Sequence, residues 1–283
     1  MQLDKARVIK IIKAAIKEDL CLGDITTKAV VDSTKTARAR IFAREEAVVC
    51  GIEIAEWIFA EIDYSVRFKP QLTDGQTVSP MQDVAFMEGR ARSILMAERL
   101  TLNFLSLLSG ISTETKKYAD KAGAHGAKIL DTRKTLPLLR YLQKYAVVTG
   151  GGHNHRMNLA EMVMVKDNHL KLDGGNTSVA GIRRKITRDK KIEVETDNLD
   201  DFRKAIAEKP DVIMLDNMST SDVRRAVDIR NSDRRYKGIV LEASGGITLE
   251  NVADYAATGV DTISIGAITD SVRAIDYSLD IIS

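Results

Sequence analysis

From about residue 123 onward the chain repeats one unit, a short apolar run followed by a stretch of helical period. The apolar runs read "KILD", "AVVT", "MVMVK", "KIEVE", "DVIMLD", "GIVLEAS" and "DTISIG". The stretches with helical period read "LPLLRYLQKY", "SVAGIRRKIT", "LDDFRKAIAE", "SDVRRAVDIR" and "LENVADYAAT". Nearly continuous apolar strands are expected where both faces of a parallel sheet are covered. Strand–helix repetition leaves two architectures, a closed α/β barrel or an open doubly wound sheet. The strand ends favour the barrel. They carry Asp131-Thr132-Arg133-Lys134, Gly150-Gly151-Gly152, Lys166-Asp167-Asn168, Glu195-Thr196-Asp197, Asp216-Asn217, Ser244-Gly245-Gly246 and Gly266. A barrel brings all such ends to one mouth, whereas an open sheet converges only those near its switch point. Seven strands are predicted, with "AVVT" following its helix almost without a loop.

The first hundred residues read as a mixed α+β unit. "ARARIFAREEAVVCG" is strand-like, "IEIAEWIFAEI" is helical, and "YSVRFKP" and "QDVAFMEG" are strands around the turn-rich "TDGQTVSP". "RARSILMAERLTLNFLSLLSG" is a long helix with Gly110 as its expected C-cap. At the N-terminus, Leu3, Val8, Ile9, Ile12 and Ile16 recur at helical spacing among lysines, a helix packing on its own domain.

The net charge of +2 on 283 residues gives no reason to expect nucleic-acid binding, so local clustering of basic groups matters more than the total. No run of about 18 apolar residues marks a membrane span. Two cysteines, Cys21 and Cys50, are expected to be small core residues in a reducing cytoplasm.

The chemistry concentrates at the strand ends. Ser244, Gly245 and Gly246 lie between a strand and a helix, and Gly266 repeats the arrangement; turns of this kind present backbone N–H groups to phosphate. Arg133, Lys134, Arg156 and Lys166 would repel one another at a shared mouth unless an anion joined them, and arginine offers a bidentate fork to carboxylate or phosphate. Glu195 and Asp216 suit Mg²⁺ held jointly with a phosphorylated substrate, or they neutralise the basic groups. A rival is a metal-dependent barrel hydrolase using the H-x-H pair His153 and His155. That chemistry needs histidines on later strands, and none follows His169. "GGG" at Gly150 lacks the spacing of a dinucleotide fingerprint, and no "GxxxxGK[ST]" occurs.

"DTRKT", "KYAV", "GGGHNHRMNL", "KDNH", "LDNM" and "EASGGI", with "EDLCLGDITT" and "AERLTLNFLSLLSGIST" before them, resemble the quinolinate phosphoribosyltransferase family over nearly the whole chain. The resemblance implies an N-terminal α/β open sandwich, residues 1–110 with 272–283 returning to it, and a seven-stranded incomplete α/β barrel over 111–271. It implies a reaction in which quinolinate attacks C1 of phosphoribosyl pyrophosphate. Pyrophosphate and CO₂ leave, and nicotinate mononucleotide forms, with Mg²⁺ as the metal. It implies that Arg133, His155 and Arg156 face the quinolinate carboxylates, joined by Arg99 from a neighbouring subunit of a homodimer, with higher oligomers left open. Thr132 is expected in the substrate-binding set. Lys134 and Lys166 would hold the phosphorylated substrate, Glu195 and Asp216 would face its ribose hydroxyls and Mg²⁺, and Ser244, Gly245, Gly246 and Gly266 would bind phosphate. The charged set Lys134, Lys166, Glu195 and Asp216 would carry the catalysis, with no covalent nucleophile. Small-molecule partners, a cytoplasmic location and no nucleic acid or membrane complete the expectation. A molybdate-transport-linked relative and a nicotinate-using phosphoribosyltransferase are the alternatives within this chemistry. The chain departs from the family at Leu136 and Leu138, where Thr and Gly are frequent.

Overall fold

The computed structural model describes residues 1–174 and 177–282. They cluster into two compact units. Unit 1 takes Met1–Lys116, Thr135–Gly151 and Ile268–Ser283; unit 2 takes Lys117–Lys134 and Gly152–Ala267. Ser283, the end of the segment expected to return to the N-terminal domain, lies outside the described residues.

In chain order the first elements are α1 (Lys5–Asp19), α2 (Ile25–Val30), β1 (Thr36–Ala43), β2 (Ala47–Val48), α3 (Ile52–Ile62), β3 (Arg67–Pro70), β4 (Thr77–Val78), β5 (Asp83–Arg90) and α4 (Ala91–Gly123). Then follow β6 (Lys128–Leu130), α5 (Arg140–Thr149), β7 (Val163–Val165), α6 (Asp167–Leu172), α7 (Val179–Arg183), β8 (Ile192–Thr196), α8 (Leu199–Ala207) and β9 (Val212–Asp216). The last are α9 (Thr220–Ser232), β10 (Val240–Ser244), α10 (Val252–Ala256), β11 (Thr262–Ser264), α11 (Ala267–Asp270) and β12 (Tyr277–Ile281).

Unit 1 is built on a four-stranded antiparallel sheet, order β12-β1-β5-β3, so the C-terminal strand pairs with β1. Helix α3 buries Ile54, Ala55, Ile58 and Phe59, the last against Phe68 of β3 at 5.6 Å between ring centroids. Gly51 opens α3 at φ 108°, where a side chain would be strained, and Asp74 accepts hydrogen bonds from the N–H groups of Gly51 and Ile52. Its negative charge also suits the helix N-terminus. Cys50 is buried, and burial raises its thiol pKa; Cys21, expected in a core, is exposed instead.

Two glycines expected to end elements are placed differently. Gly110 does not cap a helix, because α4 runs on to Gly123. A Cβ at Gly110 would lie 2.4 Å from the Arg273 carbonyl oxygen and 2.9 Å from Val272, so glycine is there to let the C-terminal chain pass over the helix. Gly150 closes α5 rather than a strand, and its Cβ would meet the Ser112 carbonyl at 2.3 Å. The "AVVT" stretch is likewise the last turn of α5. Its Ala146 and Val147 bury on one side of a helix that begins at Arg140, after Pro137 and a left-handed Leu138 (φ 66°). A short apolar run has no periodicity to separate strand from buried helix. Among the described residues α4 alone is long and apolar enough to cross a membrane, but 61% of that stretch is buried, as in a core helix.

Unit 2 is a six-stranded parallel sheet, order β6-β11-β10-β9-β8-β7. The seventh position is filled by a single parallel bridge between Leu130 and His153, not by a strand. Ile213, Leu215, Leu241, Ala243 and Ile263 are fully buried along it. Each of the larger ones is worth about 1.5–3 kcal/mol of apolar burial. At the strand entrances one device recurs. Asp211 accepts hydrogen bonds from the Ile192 N–H at 2.6 Å and from Arg183; Asp261 accepts from the Leu241 N–H at 2.7 Å and from Arg230. Each aspartate precedes its strand and ties down the neighbouring one.

The sheet curls on itself. His155 follows the bridge beside β6, yet its imidazole lies 3.1 Å from Glu193 on β8 and 3.5 Å from Glu242 on β10. Laid flat, β6 and β8 would be about 19 Å apart, four strand spacings. Side chains standing perpendicular to a flat sheet cannot close that gap, so the strands wrap around a shared interior, as in an α/β barrel.

Candidate active site

Because the six strands are parallel, all their C-terminal ends open on one rim of unit 2. Arg133 and Lys134 follow β6, Arg156 follows the His153 bridge, and Lys166 follows β7. Glu195 lies in β8, Asp216 ends β9, Ser244 ends β10, and Gly266 lies two residues beyond β11. The rim therefore gathers the sequence-predicted residues of the barrel. Arg99 is an exposed residue of α4, in unit 1.

Four cations and two carboxylates stand at these strand ends, and Lys166 pairs with Glu195. Thr132 Oγ1 accepts the Lys134 N–H at 3.0 Å, so the threonine shapes the loop that presents the basic pair. Arg156 donates to the Met162 carbonyl at 3.1 Å and touches the Met164 sulfur at 3.4 Å. Partial burial, then the nearby charge of Arg133, hold the Arg156 guanidinium below its ordinary pKa, with Glu193 acting in the opposite sense. Two guanidiniums that act on each other's charge are an arrangement that an anion between them would relieve. Lys166 caps α6, its N–H donates to His169 Nδ1 at 3.0 Å, and its ammonium pairs with Glu195. Glu195 is thus engaged by a lysine, whereas Asp216 accepts from the Asn217 side chain at 2.8 Å.

The glycine turn after β10 is tightly determined. Gly245 and Gly246 have φ +86° and +61°, successive left-handed residues of the kind that build anion-binding concavities. At Gly245 a Cβ would lie 2.3 Å from Asn217 Oδ1 and 2.8 Å from the Asn217 backbone nitrogen; at Gly246 it would meet nothing within 4 Å. Asn217 is itself left-handed (φ 55°), and its N–H donates to the Ser244 carbonyl at 2.8 Å. Helix α10 starts only at Val252, so any anion at this turn rests on the turn's own amides rather than on a helix end.

One depression of about 320 Å³ lies at the rim, lined by Asn154, His155, Arg156, Met157, Glu161 and Met162. A larger one of about 440 Å³ lies on the unit 1 sheet, with Arg38, Arg67 and Glu88 in its lining; it holds none of the residues described above.

His155 lines the rim depression, and its ring also has neighbours in the interior. Its Nδ1 accepts the Arg156 N–H at 2.7 Å, and its Nε2 faces Glu193 and Glu242 in the barrel interior. The two glutamates escaped the sequence reading, although Glu193 shares a strand face with Glu195 and Glu242 with Ser244, two residues on in each case. A charged residue inside an apolar strand run was the available signal. The three form the one cluster of potential metal ligands among the described residues, and His153 is not in it. That removes the paired-histidine premise of the hydrolase reading. Among the described residues Glu195 and Asp216 belong to no such cluster, so a cation held by them would need further oxygens from a substrate.

Two family models cover the chain: the N-terminal domain of quinolinate phosphoribosyl transferase matches residues 24–109, and its C-terminal domain residues 111–280. The chain is 40% identical over 282 residues to a probable carboxylating nicotinate-nucleotide pyrophosphorylase of Methanocaldococcus jannaschii, covering 98% of both. It is 40% identical over 275 residues to the carboxylating nicotinate-nucleotide pyrophosphorylase of Mycobacterium leprae, covering 95% of both. Its fold matches the nicotinate-nucleotide pyrophosphorylase structure from Francisella tularensis with a TM-score of 0.93 and 37% identity, over 99% of this chain and 98% of that one.

Proposed function

Since this chain belongs to the quinolinate phosphoribosyltransferase family, we propose that it transfers phosphoribosyl from phosphoribosyl pyrophosphate to quinolinate with loss of CO₂, yielding nicotinate mononucleotide. The observation that carries the reading is the rim: four cations and a left-handed glycine turn at the open end of one parallel sheet. Two polyanionic substrates match that surplus of positive charge.

The quinolinate ring nitrogen attacks C1 of the ribose as the C1–O bond to pyrophosphate breaks. Charge develops on the departing oxygen, and the ribosyl centre becomes oxocarbenium-like, as in other glycosyl transfers. Lys134 and Lys166 stabilise the leaving group electrostatically, and the Ser244–Gly246 turn and Gly266 hold phosphate. Arg133 and Arg156 grip the dicarboxylate, which fixes the nitrogen in line with C1. Glu195, through its pair with Lys166, orients that ammonium, and Asp216 faces the ribose hydroxyls. Glu195 and Asp216 would hold Mg²⁺ together with the phosphorylated substrate, and the ion would supply further charge neutralisation. After ring ribosylation the C2–carboxylate bond breaks. Its electron pair stays on C2 beside the cationic nitrogen, CO₂ departs, and a proton then takes the pair. No covalent nucleophile is required.

We further propose a homodimer in which exposed Arg99 serves the partner's site, and a cytoplasmic enzyme, in keeping with two unpaired cysteines. The test is an assay of purified protein with phosphoribosyl pyrophosphate and either quinolinate or nicotinate. Product from quinolinate alone supports the reading; product from nicotinate alone overturns it.

A further inference from the structure

The barrel interior holds two carboxylates that the proposed chemistry does not use. The side chains of Glu193 and Glu242 are 0% and 3% exposed, and both stand against the His155 imidazole, itself 7% exposed. Burying two carboxylates is a poor way to stabilise a core, because well-packed apolar residues of similar volume do as well or better. They call for another explanation.

The hydrogen bonds supply one. Arg156 donates its backbone N–H to His155 Nδ1, so that nitrogen carries no proton and Nε2 carries it. Nε2 then lies within ion-pair distance of both buried carboxylates, 3.1 Å from Glu193 and 3.5 Å from Glu242. The backbone of His155 is pinned as well, its N–H donating to Asp131 Oδ1 at 2.9 Å. Ser264 in turn donates to Glu242. The chain of contacts runs from the inner layer of β8, β10 and β11, through one ring, to the main chain of an arginine at the rim. A hydrogen bond at Nδ1 and two buried carboxylates within 3.5 Å of Nε2 restrict the ring, and the Arg156 peptide that donates to it is restricted with it. Second-layer partners of this kind set the orientation of a ligand-facing group.

We propose that Glu193 and Glu242 are positioning residues for quinolinate: through the His155 ring they fix the Arg156 backbone, and with it the guanidinium that grips a substrate carboxylate. The proposal rests on the quinolinate reading given above. Two further observations support it. Glu193 is the carboxylate whose charge acts on Arg156 against that of Arg133. Burial, and then Glu193's charge, push Glu242 up to about 7, which favours a neutral Glu242 in this interior.

The test compares Glu193→Gln, Glu242→Gln, the double variant and Arg156→Lys, reading KM for each substrate, kcat and Tm. Either glutamine variant should raise KM for quinolinate about tenfold with kcat changed less than threefold. KM for phosphoribosyl pyrophosphate should stay within twofold, and Tm should hold or rise. The double variant should be no worse than the weaker single, since both glutamates act through one ring. An unchanged quinolinate KM in both singles overturns the proposal. So does an equal rise in both KM values, or a fall in Tm that tracks the activity, for then the role is structural. Arg156→Lys separates the two levels: if it leaves quinolinate KM alone, the quinolinate reading itself fails. Nitrogen-15 NMR of histidine in the unmutated protein needs no variant to fold. It should find His155 as the Nε2–H tautomer with a slowly exchanging proton. A proton on Nδ1 with Nε2 bare, or one equivalent of tightly held zinc in the purified protein, would overturn it.

Discussion

Gly245→Ala is the sharpest probe of the phosphate turn. The new methyl would sit at φ +86° and 2.3 Å from Asn217 Oδ1, a contact that a rotating side chain could relieve. It would also sit 2.8 Å from the Asn217 backbone nitrogen, which is tied to the Ser244 carbonyl and cannot step aside alone. The left-handed backbone costs about 1–2 kcal/mol for a non-glycine residue, and forcing a methyl into a filled space adds about 1–3 kcal/mol. After partial relaxation we expect a loss of about 2–4 kcal/mol in stability, by denaturant titration. Relaxation must displace the turn's amides, and each hydrogen bond lost to a charged group is worth about 1.5–3 kcal/mol. KM for phosphoribosyl pyrophosphate should therefore rise at least tenfold while KM for quinolinate stays within twofold. Gly246→Ala is the internal standard for stability. Its methyl meets nothing within 4 Å, so only the backbone strain of about 1–2 kcal/mol remains. If the two variants lost equal stability, or if Gly245→Ala kept the KM of the unmutated protein for phosphoribosyl pyrophosphate, the account of this turn would be wrong.

Arg133→Lys replaces a bidentate fork with a point charge and should lower kcat/KM for quinolinate at least tenfold, checked by steady-state kinetics. Leu138→Gly relieves a leucine at φ 66° that is 91% exposed. The relief of about 1–2 kcal/mol, less about 0.5–1 kcal/mol for glycine's looser unfolded chain, should leave a net gain of about 0.5–1 kcal/mol in chemical denaturation. Glu242, raised by burial to about 7, contributes stability that is complete below about pH 4.5 and is lost as pH rises through 7. Between pH 5 and 8 the protein should lose a few kcal/mol that Glu242→Gln does not lose, at about 1.4 kcal/mol for each tenfold difference in proton affinity between the folded and unfolded chain. Parallel pH–stability curves for the two proteins would contradict this.

The strand–helix alternation was legible because buried parallel strands are nearly all apolar and their ends are not. The rim was legible because Arg133, Arg156, Lys166 and the Ser244–Gly246 turn interrupt that alternation at fixed places. What escaped the reading turns on contacts made far apart in sequence. Gly110 and Gly150 read as element ends, but each is glycine because a distant backbone crosses within 2.5 Å of where its Cβ would be. "AVVT" read as a strand because four residues cannot display a period, and its neighbours in α5 decide the matter. Glu193 and Glu195 lie on one strand face, so no sequence pattern tells which reaches the rim and which turns to a histidine in the interior. Only closure of the sheet brings His155 to both glutamates. The aspartates before β9 and β11 gave no motif either, since their partners Arg183 and Arg230 lie 28 and 31 residues earlier.

The most direct measurement is a crystal structure with phosphoribosyl pyrophosphate and phthalate, a dicarboxylate with no ring nitrogen to attack C1. The account predicts phthalate between Arg133 and Arg156, and a phosphate of the second ligand against the amides of residues 244–246. Both ligands bound away from the strand ends of unit 2, or phthalate contacted by neither arginine, would contradict it.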